Sequence, residues 1–132
     1  MQLHTRVLSA CAITTALAAP LLFAAGPAAA SGGHRAVTNA GTCSQHGRFE
    51  LAAKHDDGAL EIEFEVDTNV VGQSFFVRLT DNGSVVLRRT VVTSAPSGSF
   101  TVAKRTFNRM GADVVRARAV SGSNACGGRV AL

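Results

Sequence analysis

The stretch from Gly58 to Asp67, GALEIEFEVD, alternates apolar and acidic residues almost without interruption. A period of two places successive side chains on opposite faces of an extended strand. Such a strand buries one face against a core and exposes the other to water. The chain is therefore expected to be all-β, with Leu60, Ile62, Phe64 and Val66 facing a core and Glu61, Glu63, Glu65 and Asp67 facing solvent.

Similar short runs continue from position 47 onward, and Gly, Pro, Asn, Asp or Ser residues separate them. The runs are RFELAAK, ALEIEFEVD, SFFVRLT, SVVLRRTVV, SFTVAKRTF, VVRARAV and CGGRVAL, and none has a helical period. Seven strands at even spacing predict one antiparallel sandwich or barrel over residues 43–132. Residues 31–42, SGGHRAVTNAGT, are small and polar, and they are predicted to be a flexible lead-in.

The segment TDNGS bears on the register of one hairpin. A three-residue loop over positions 81–83, with its glycine left-handed, would pair Leu79 with Val85. A two-residue loop would place Arg88 opposite Val77 on the buried side. Because a one-residue slip turns every side chain to the other face, the three-residue loop is the prediction.

Residues 1–30 have the order of a secretory signal peptide: a short start with Arg6, an apolar run over 7–25, then small residues. Cleavage is predicted between Ala30 and Ser31. An apolar run of about 19 residues is also long enough to cross a bilayer. The Ala-x-Ala site close behind it favours removal, so the mature form is predicted to have no membrane span and to be secreted.

Cys43 and Cys126 are the cysteines that remain after that cleavage. In an exported chain an even cysteine count predicts a disulfide, and two cysteines allow one connectivity. The bond would close a loop of more than eighty residues. From the loop-closure entropy, such a bond is expected to stabilise the fold by roughly 4 kcal/mol. A pair of free thiols or a metal site is the alternative.

Three segments, FELAAKHDDGALEIEFEVDTN, VRLTDNGSVV and APSGSFTV, resemble a family of small secreted actinobacterial proteins of unknown function. Seven strands within residues 43–132, with GADVVRARA near the end, also resemble bacterial immunoglobulin-like and fibronectin-type-III-like domains. The resemblance covers residues 43–132 and implies a seven-stranded antiparallel immunoglobulin-like β-sandwich. It implies no chemistry, since a fold alone does not give a function. An antibody-type domain would carry a core Trp, and Tyr and Cys where Ala117 and Ala119 stand.

The carboxylates of Glu61, Glu63 and Glu65 are candidate calcium ligands, and HDDG could add His55, Asp56 and Asp57. An extended strand spreads its side chains along a line and does not converge them on one ion. Asp-Gly in HDDG is first a turn signal. A solvated outer face is therefore predicted, with Arg48, Lys54 and Arg105 as neighbours that offset the repulsion, and no metal or cofactor is expected.

The sequence contains no recognisable catalytic motif, and the protein is predicted not to be an enzyme. No serine lies in Gly-x-Ser-x-Gly, and no glycine-rich phosphate loop is present. His34 and His46 fall in or near the lead-in, and His55 with Asp56 lies at a turn. The chain has no Trp and no Tyr, which argues against stacking on sugars or on exposed bases and hence against nucleic-acid binding.

Charge is unevenly distributed along the chain. Seven of the nine acids lie between Glu50 and Asp67, whereas nine of the twelve Lys and Arg residues after the signal peptide follow Thr68. In a sandwich the strand of Arg116 and Arg118 normally pairs with that of Arg78. The candidate contact face on that sheet is Phe76, Arg78, Arg88, Arg116 and Arg118.

Two functions follow as hypotheses. The first is a secreted, non-catalytic binding module, cell-wall associated, whose basic face docks on an anionic cell-envelope polymer or stacks on a copy of itself. The alternative interpretation of that face is that its arginines are ordinary exposed residues of a sheet and bind no ligand. The second hypothesis is a small secreted effector or inhibitor that acts on a partner protein. Its rigid loops, DTNVVGQ and TSAPSG, would lose little entropy on docking.

Overall fold

Each alternating run forms one strand of an all-β sandwich in a computed structural model that describes residues 35–132. The strands are β1 (Val37–Thr42), β2 (Arg48–Asp56), β3 (Ala59–Asp67), β4 (Ser74–Asp81), β5 (Ser84–Val92), β6 (Ser99–Phe107), β7 (Val114–Ser121) and β8 (Asn124–Ala131). The predicted signal peptide and its cleavage site at Ala30 and Ser31 lie outside the described residues.

Two four-stranded sheets make up the sandwich, and all neighbouring strands are antiparallel. The first sheet has the order β1-β2-β3-β6, and the second has the order β5-β4-β7-β8. The β2–β3, β4–β5 and β7–β8 connections are hairpins within one sheet. The chain changes sheets between β3 and β4, between β5 and β6, and between β6 and β7.

The core lies between the two sheets and follows the predicted alternation. The apolar side of β3 is 0–2% exposed, and each such large side chain removed from water contributes about 1.5–3 kcal/mol. The Phe75 and Phe100 rings, from opposite sheets, have centroids 5.6 Å apart. The fully buried side chains of the core include Leu51, Leu60, Phe64, Val66, Phe75, Val77, Leu79, Val102 and Val115.

The prediction of seven strands was wrong, because β1 lies within the segment expected to be a flexible lead-in. Strand β1 pairs with β2 over its whole length, from Val37 opposite Ala53 to Thr42 opposite Arg48. Its side chains are almost all exposed, so no apolar alternation marks it in the sequence. Its backbone hydrogen bonds to β2 decide its structure, and this is a signal that composition does not carry.

The three-residue loop predicted for the β4–β5 hairpin was also wrong. Asn82 and Gly83 form a two-residue loop with φ of +46° and +83°, the conformation that matches the twist of the flanking strands. The register then shifts next to Leu79, which lies opposite Leu87 and not Val85. A bulge absorbs the one-residue difference, so the apolar side of β4 still faces the core.

A disulfide joins Cys43, directly after β1, to Cys126 on β8, and it confirms the predicted pairing. Both cysteines are buried. Hydrogen bonds continue the link on both sides of the bridge. Ser44 N donates to Ala125 O at 2.7 Å, and Ala125 N donates to Ser44 Oγ at 2.9 Å. The bond therefore ties the first sheet to an edge strand of the second.

Candidate functional site

A row of arginines crosses the second sheet. Arg78 on β4 lies directly opposite Arg88 on β5 and directly opposite Arg118 on β7. Directly opposite residues of an antiparallel pair project from the same face with Cβ atoms about 5 Å apart. Three neighbouring strands therefore bring three exposed guanidinium groups to one outer surface.

A second pair of arginines adjoins this row. Arg116, two residues before Arg118 on β7, lies opposite Arg129 on β8. Phe76, two residues before Arg78, is on the same face and is 48% exposed. We call this set the arginine face, and it comprises Phe76, Arg78, Arg88, Arg116, Arg118 and Arg129.

The structure thus brings together the residues of the candidate contact face and adds Arg129 to them. Sequence reasoning missed Arg129 because it lies in CGGRVAL, where two glycines obscure the alternation. The β7–β8 hairpin is the sequence feature that could have placed Arg129 on this face. Once β7 and β8 are joined by a two-residue loop, residues 116 and 129 fall opposite each other.

A shallow depression of about 460 Å³ lies among three of these arginines. Gly127, which is opposite Arg118, also lines the depression. A Cβ at Gly127 would collide with the carbonyl oxygen of Ala117, so only glycine fits there. The depression is bordered by Arg116, Arg118 and Arg129, and it has the size and the charge to receive an anionic group.

The arginine face carries its positive charge without internal compensation. Within residues 35–132, the ion pairs involve Arg48, Lys54, His55 and Arg105, and none includes an arginine of this face. Like charges directly opposite one another destabilise a strand pair. An anion that binds across the row would relieve that repulsion.

The first sheet presents the opposite charge on its own outer surface. Glu50 on β2 lies directly opposite Glu65 on β3. Glu63 lies between Ala52 and Ala103. None of these three carboxylates has an ion-pair partner in the part of the chain that the structure describes. We call Glu50, Glu63 and Glu65 the acidic face.

The remaining acids of that surface are neutralised, as predicted, by Arg48, Lys54 and Arg105. Arg48 pairs with Asp67 at 3.1 Å, and Lys54 pairs with Glu61 at 3.0 Å. Arg105 also contacts Glu61. Hydrogen bonding from Lys54 holds the pKa of Glu61 below its usual value. The cations thus balance the two ends of the acidic strand and leave its centre uncompensated.

A buried carboxyl pair lies at one end of the sandwich. Asp113 is fully buried, and its Oδ2 lies 2.7 Å from His55 Nε2. Asp81 is 2% exposed. Burial raises the pKa of the Asp81 carboxyl, and the negative charge of Asp113 raises it further. Sequence reasoning paired His55 with its neighbour Asp56. It missed this group because His55 is near the end of β2, Asp81 ends β4 and Asp113 directly precedes β7, so the three residues are far apart in sequence.

The two loops singled out for partner binding interlock at the opposite end. Thr68 N donates to Gly98 O at 3.1 Å, and Thr93 N donates to Gln73 O at 2.9 Å. The backbone of one loop therefore fixes the other. Three valines project from this end, Val70, Val71 and Val92, which are 46%, 55% and 57% exposed.

No group of three or more His, Cys, Asp or Glu side chains within 35–132 is placed to hold a metal ion. In the same range no helix is long and apolar enough to cross a membrane.

Comparison with known proteins gives no relative: no protein-family profile, curated protein or solved structure matches this chain at a significant level. The resemblance to small secreted actinobacterial proteins and to immunoglobulin-like domains therefore stays a prediction.

Proposed function

We propose that this protein is a secreted, non-catalytic binding module of immunoglobulin-like type, from an actinobacterium, that docks on an anionic polymer of the cell envelope through its arginine face. The observation that carries the proposal is the uncompensated row of Arg78, Arg88 and Arg118, which lie directly opposite one another on three strands. The signal-peptide pattern and the disulfide support an extracellular location.

A polymer suits this face better than a small anion does. Exposed single charge pairs in water contribute little, typically below about 1 kcal/mol. A chain with regularly repeated phosphates or carboxylates engages several guanidinium groups at once, and the second and later contacts form at high effective concentration. Guanidinium groups also bind such anions with two parallel hydrogen bonds. The depression beside Gly127 receives one anion while the arginine row receives its neighbours.

Co-sedimentation of the exported, disulfide-bonded protein with cell envelopes of its producing organism tests the proposal. Binding at low salt is expected to weaken steeply as the ionic strength rises. The double variant Arg78→Glu/Arg118→Glu should lose at least tenfold in envelope affinity. Arg35→Glu/Arg109→Glu changes the net charge equally at two exposed positions off the face, so it should keep most of the binding. Equal loss in both variants, or protein left in the supernatant at low salt, would overturn the proposal.

The second candidate function is inhibition of a secreted partner protein. The observation in its favour is the interlocked pair of loops, which presents three exposed valines on a fixed backbone. Apolar side chains on a preorganised loop suit insertion into a partner's cleft. Screening against common proteases and amylases at micromolar concentration tests it, with Val71→Asp expected to abolish inhibition and Val37→Asp, on exposed β1, expected to retain it. Full activity of every hydrolase would retire this candidate.

A further inference from the structure

We infer that the acidic face of one copy of this chain docks on the arginine face of a second copy. This inference does not depend on polymer binding, although both use the arginine face. The two surfaces belong to opposite outer sides of one sandwich, and each has uncompensated charge of one sign at its centre. The charge of the acidic face is therefore complementary to the charge of the arginine face.

The spacing of the charges matches between the two faces. Glu50 and Glu65 are directly opposite partners on adjacent strands, and so are Arg78 and Arg118. Both pairs consequently have Cβ atoms about 5 Å apart. When the faces meet, one carboxylate lies over each guanidinium, and neither pair of like charges stays uncompensated.

The side chains around these charges also fit in one orientation. With β4 of one copy antiparallel to β2 of the other, Arg78 lies over Glu50, and Arg118 lies over Glu65. Phe76 is two residues before Arg78, so it then lies over Ala52, which is two residues after Glu50. A groove of about 580 Å³ lies there on the first sheet, and its lining includes Ala52, Glu63 and Ala103. The exposed Phe76 ring thereby gains an apolar floor.

The symmetry of this contact sets the form of the assembly. The two contacting surfaces are different, so the interface is heterologous, and every added copy leaves one acidic face and one arginine face free. The assembly is therefore an open stack along the sandwich normal and not a closed dimer. Because the contacts are exposed ion pairs, association should weaken as salt screens them.

Variants in which the charge of one face is reversed provide the test. Glu50→Lys/Glu65→Lys removes the acidic face and keeps the arginine face. Arg78→Glu/Arg118→Glu does the reverse. Each variant alone should sediment as a monomer, because both of its faces then carry charge of the same sign. A one-to-one mixture should associate again into assemblies in which the two variants alternate, because the native arginine and acidic faces are complementary and so are the two reversed faces. The wild type should form a concentration-dependent series. Interference optics suit the measurement, because the chain has no Trp or Tyr.

Two controls keep the outcome interpretable. Far-UV circular dichroism and melting curves show whether each variant is folded. Phe76→Ala should weaken wild-type self-association about tenfold, whereas Met110→Ala, at an exposed position in the β6–β7 connection, should leave it unchanged. A monomeric mixture of folded variants, or wild-type association by either variant alone, would overturn the inference. The Lys variant should still bind envelopes at least as well as the wild type, so a failure of stacking is distinguishable from a failure of polymer docking.

Discussion

Arg78 lies directly opposite Arg118 across the β4–β7 ladder, and Arg88 lies opposite Arg78 on its other side. No described carboxylate forms an ion pair with any of the three. Each like-charge pair works against the sheet by roughly 0.2–1 kcal/mol, and Thr at these positions would remove the repulsion and favour a strand. A local departure from the most stable choice is typical of a functional surface.

Replacement of the central arginine should therefore stabilise the isolated domain. Arg78→Thr removes two repulsive cross-strand pairs and is expected to raise the free energy of unfolding by about 1 kcal/mol at ~10 mM salt. The gain should shrink at high salt. Urea unfolding followed by far-UV circular dichroism measures it. Arg105→Thr is the contrasting control, because Arg105 contacts Glu61 and should not stabilise when removed. Lower stability of Arg78→Thr at low salt would contradict the prediction.

The parts of the fold that were predictable from sequence are those with a buried face. Alternation in β3 placed Leu60, Ile62, Phe64 and Val66 in the core, because one buried face fixes the register. The gathering of Arg78, Arg116 and Arg118 followed from the same period of two, once the strand order was assumed. Strand β1 has no buried face, and only hydrogen bonding to β2 determines it.

What escaped prediction depends on contacts between distant turns or on irregular backbone. The bulge next to Leu79 changes the register by one residue, and no residue type marks it. Asp81 and Asp113 are 32 positions apart in sequence and meet only because β4 pairs with β7. The acidic face was predicted as a solvated surface. Only the register shows that cations pair with the acids near the two ends of β3, whereas Glu63 lies between two alanines and has no ion pair among the described residues.

The buried carboxyl pair predicts a pH dependence of stability. The pKa of Asp81 is raised in the folded state by burial and by Asp113. Its stabilising contribution is therefore complete below the unfolded value of about 3.9, and it is lost as the pH rises through the folded value. Asp81→Asn stays neutral, so its stability relative to the wild type should increase from pH 4 towards pH 8.

Thermal melts across that pH range measure the difference between the two proteins. Asp57→Asn is the matched control, since Asp57 is exposed at the β2–β3 turn and has a positive φ that Asn tolerates. Its stability difference from the wild type should not increase with pH as that of Asp81→Asn does. A flat difference for Asp81→Asn would contradict the raised pKa.

Loss of the disulfide should be the largest single change in stability. The Cys43–Cys126 bond spans 83 positions, and loop-closure entropy assigns such a link roughly 4 kcal/mol. Cys43→Ala/Cys126→Ala is expected to lose about that much in urea unfolding. Because both cysteines are buried, reductant should act on the wild type only as it unfolds. A loss below about 1 kcal/mol would mean that the hydrogen bonds around Ser44 and Ala125 hold the sheets together unaided.

The two interlocked loops depend on glycine at one position. Gly98 has φ of +70°, and a Cβ there would collide with the backbone of Val70. Gly122 has a similar φ of +57°, but a Cβ there meets no atom within 4 Å. Gly122→Ala should therefore cost only the left-handed strain of about 1–2 kcal/mol. Gly98→Ala carries the same strain and also separates the loops, so it should cost more than about 3 kcal/mol. Urea unfolding of the two variants compares them directly, and equal losses would mean that the loop contact contributes nothing to stability.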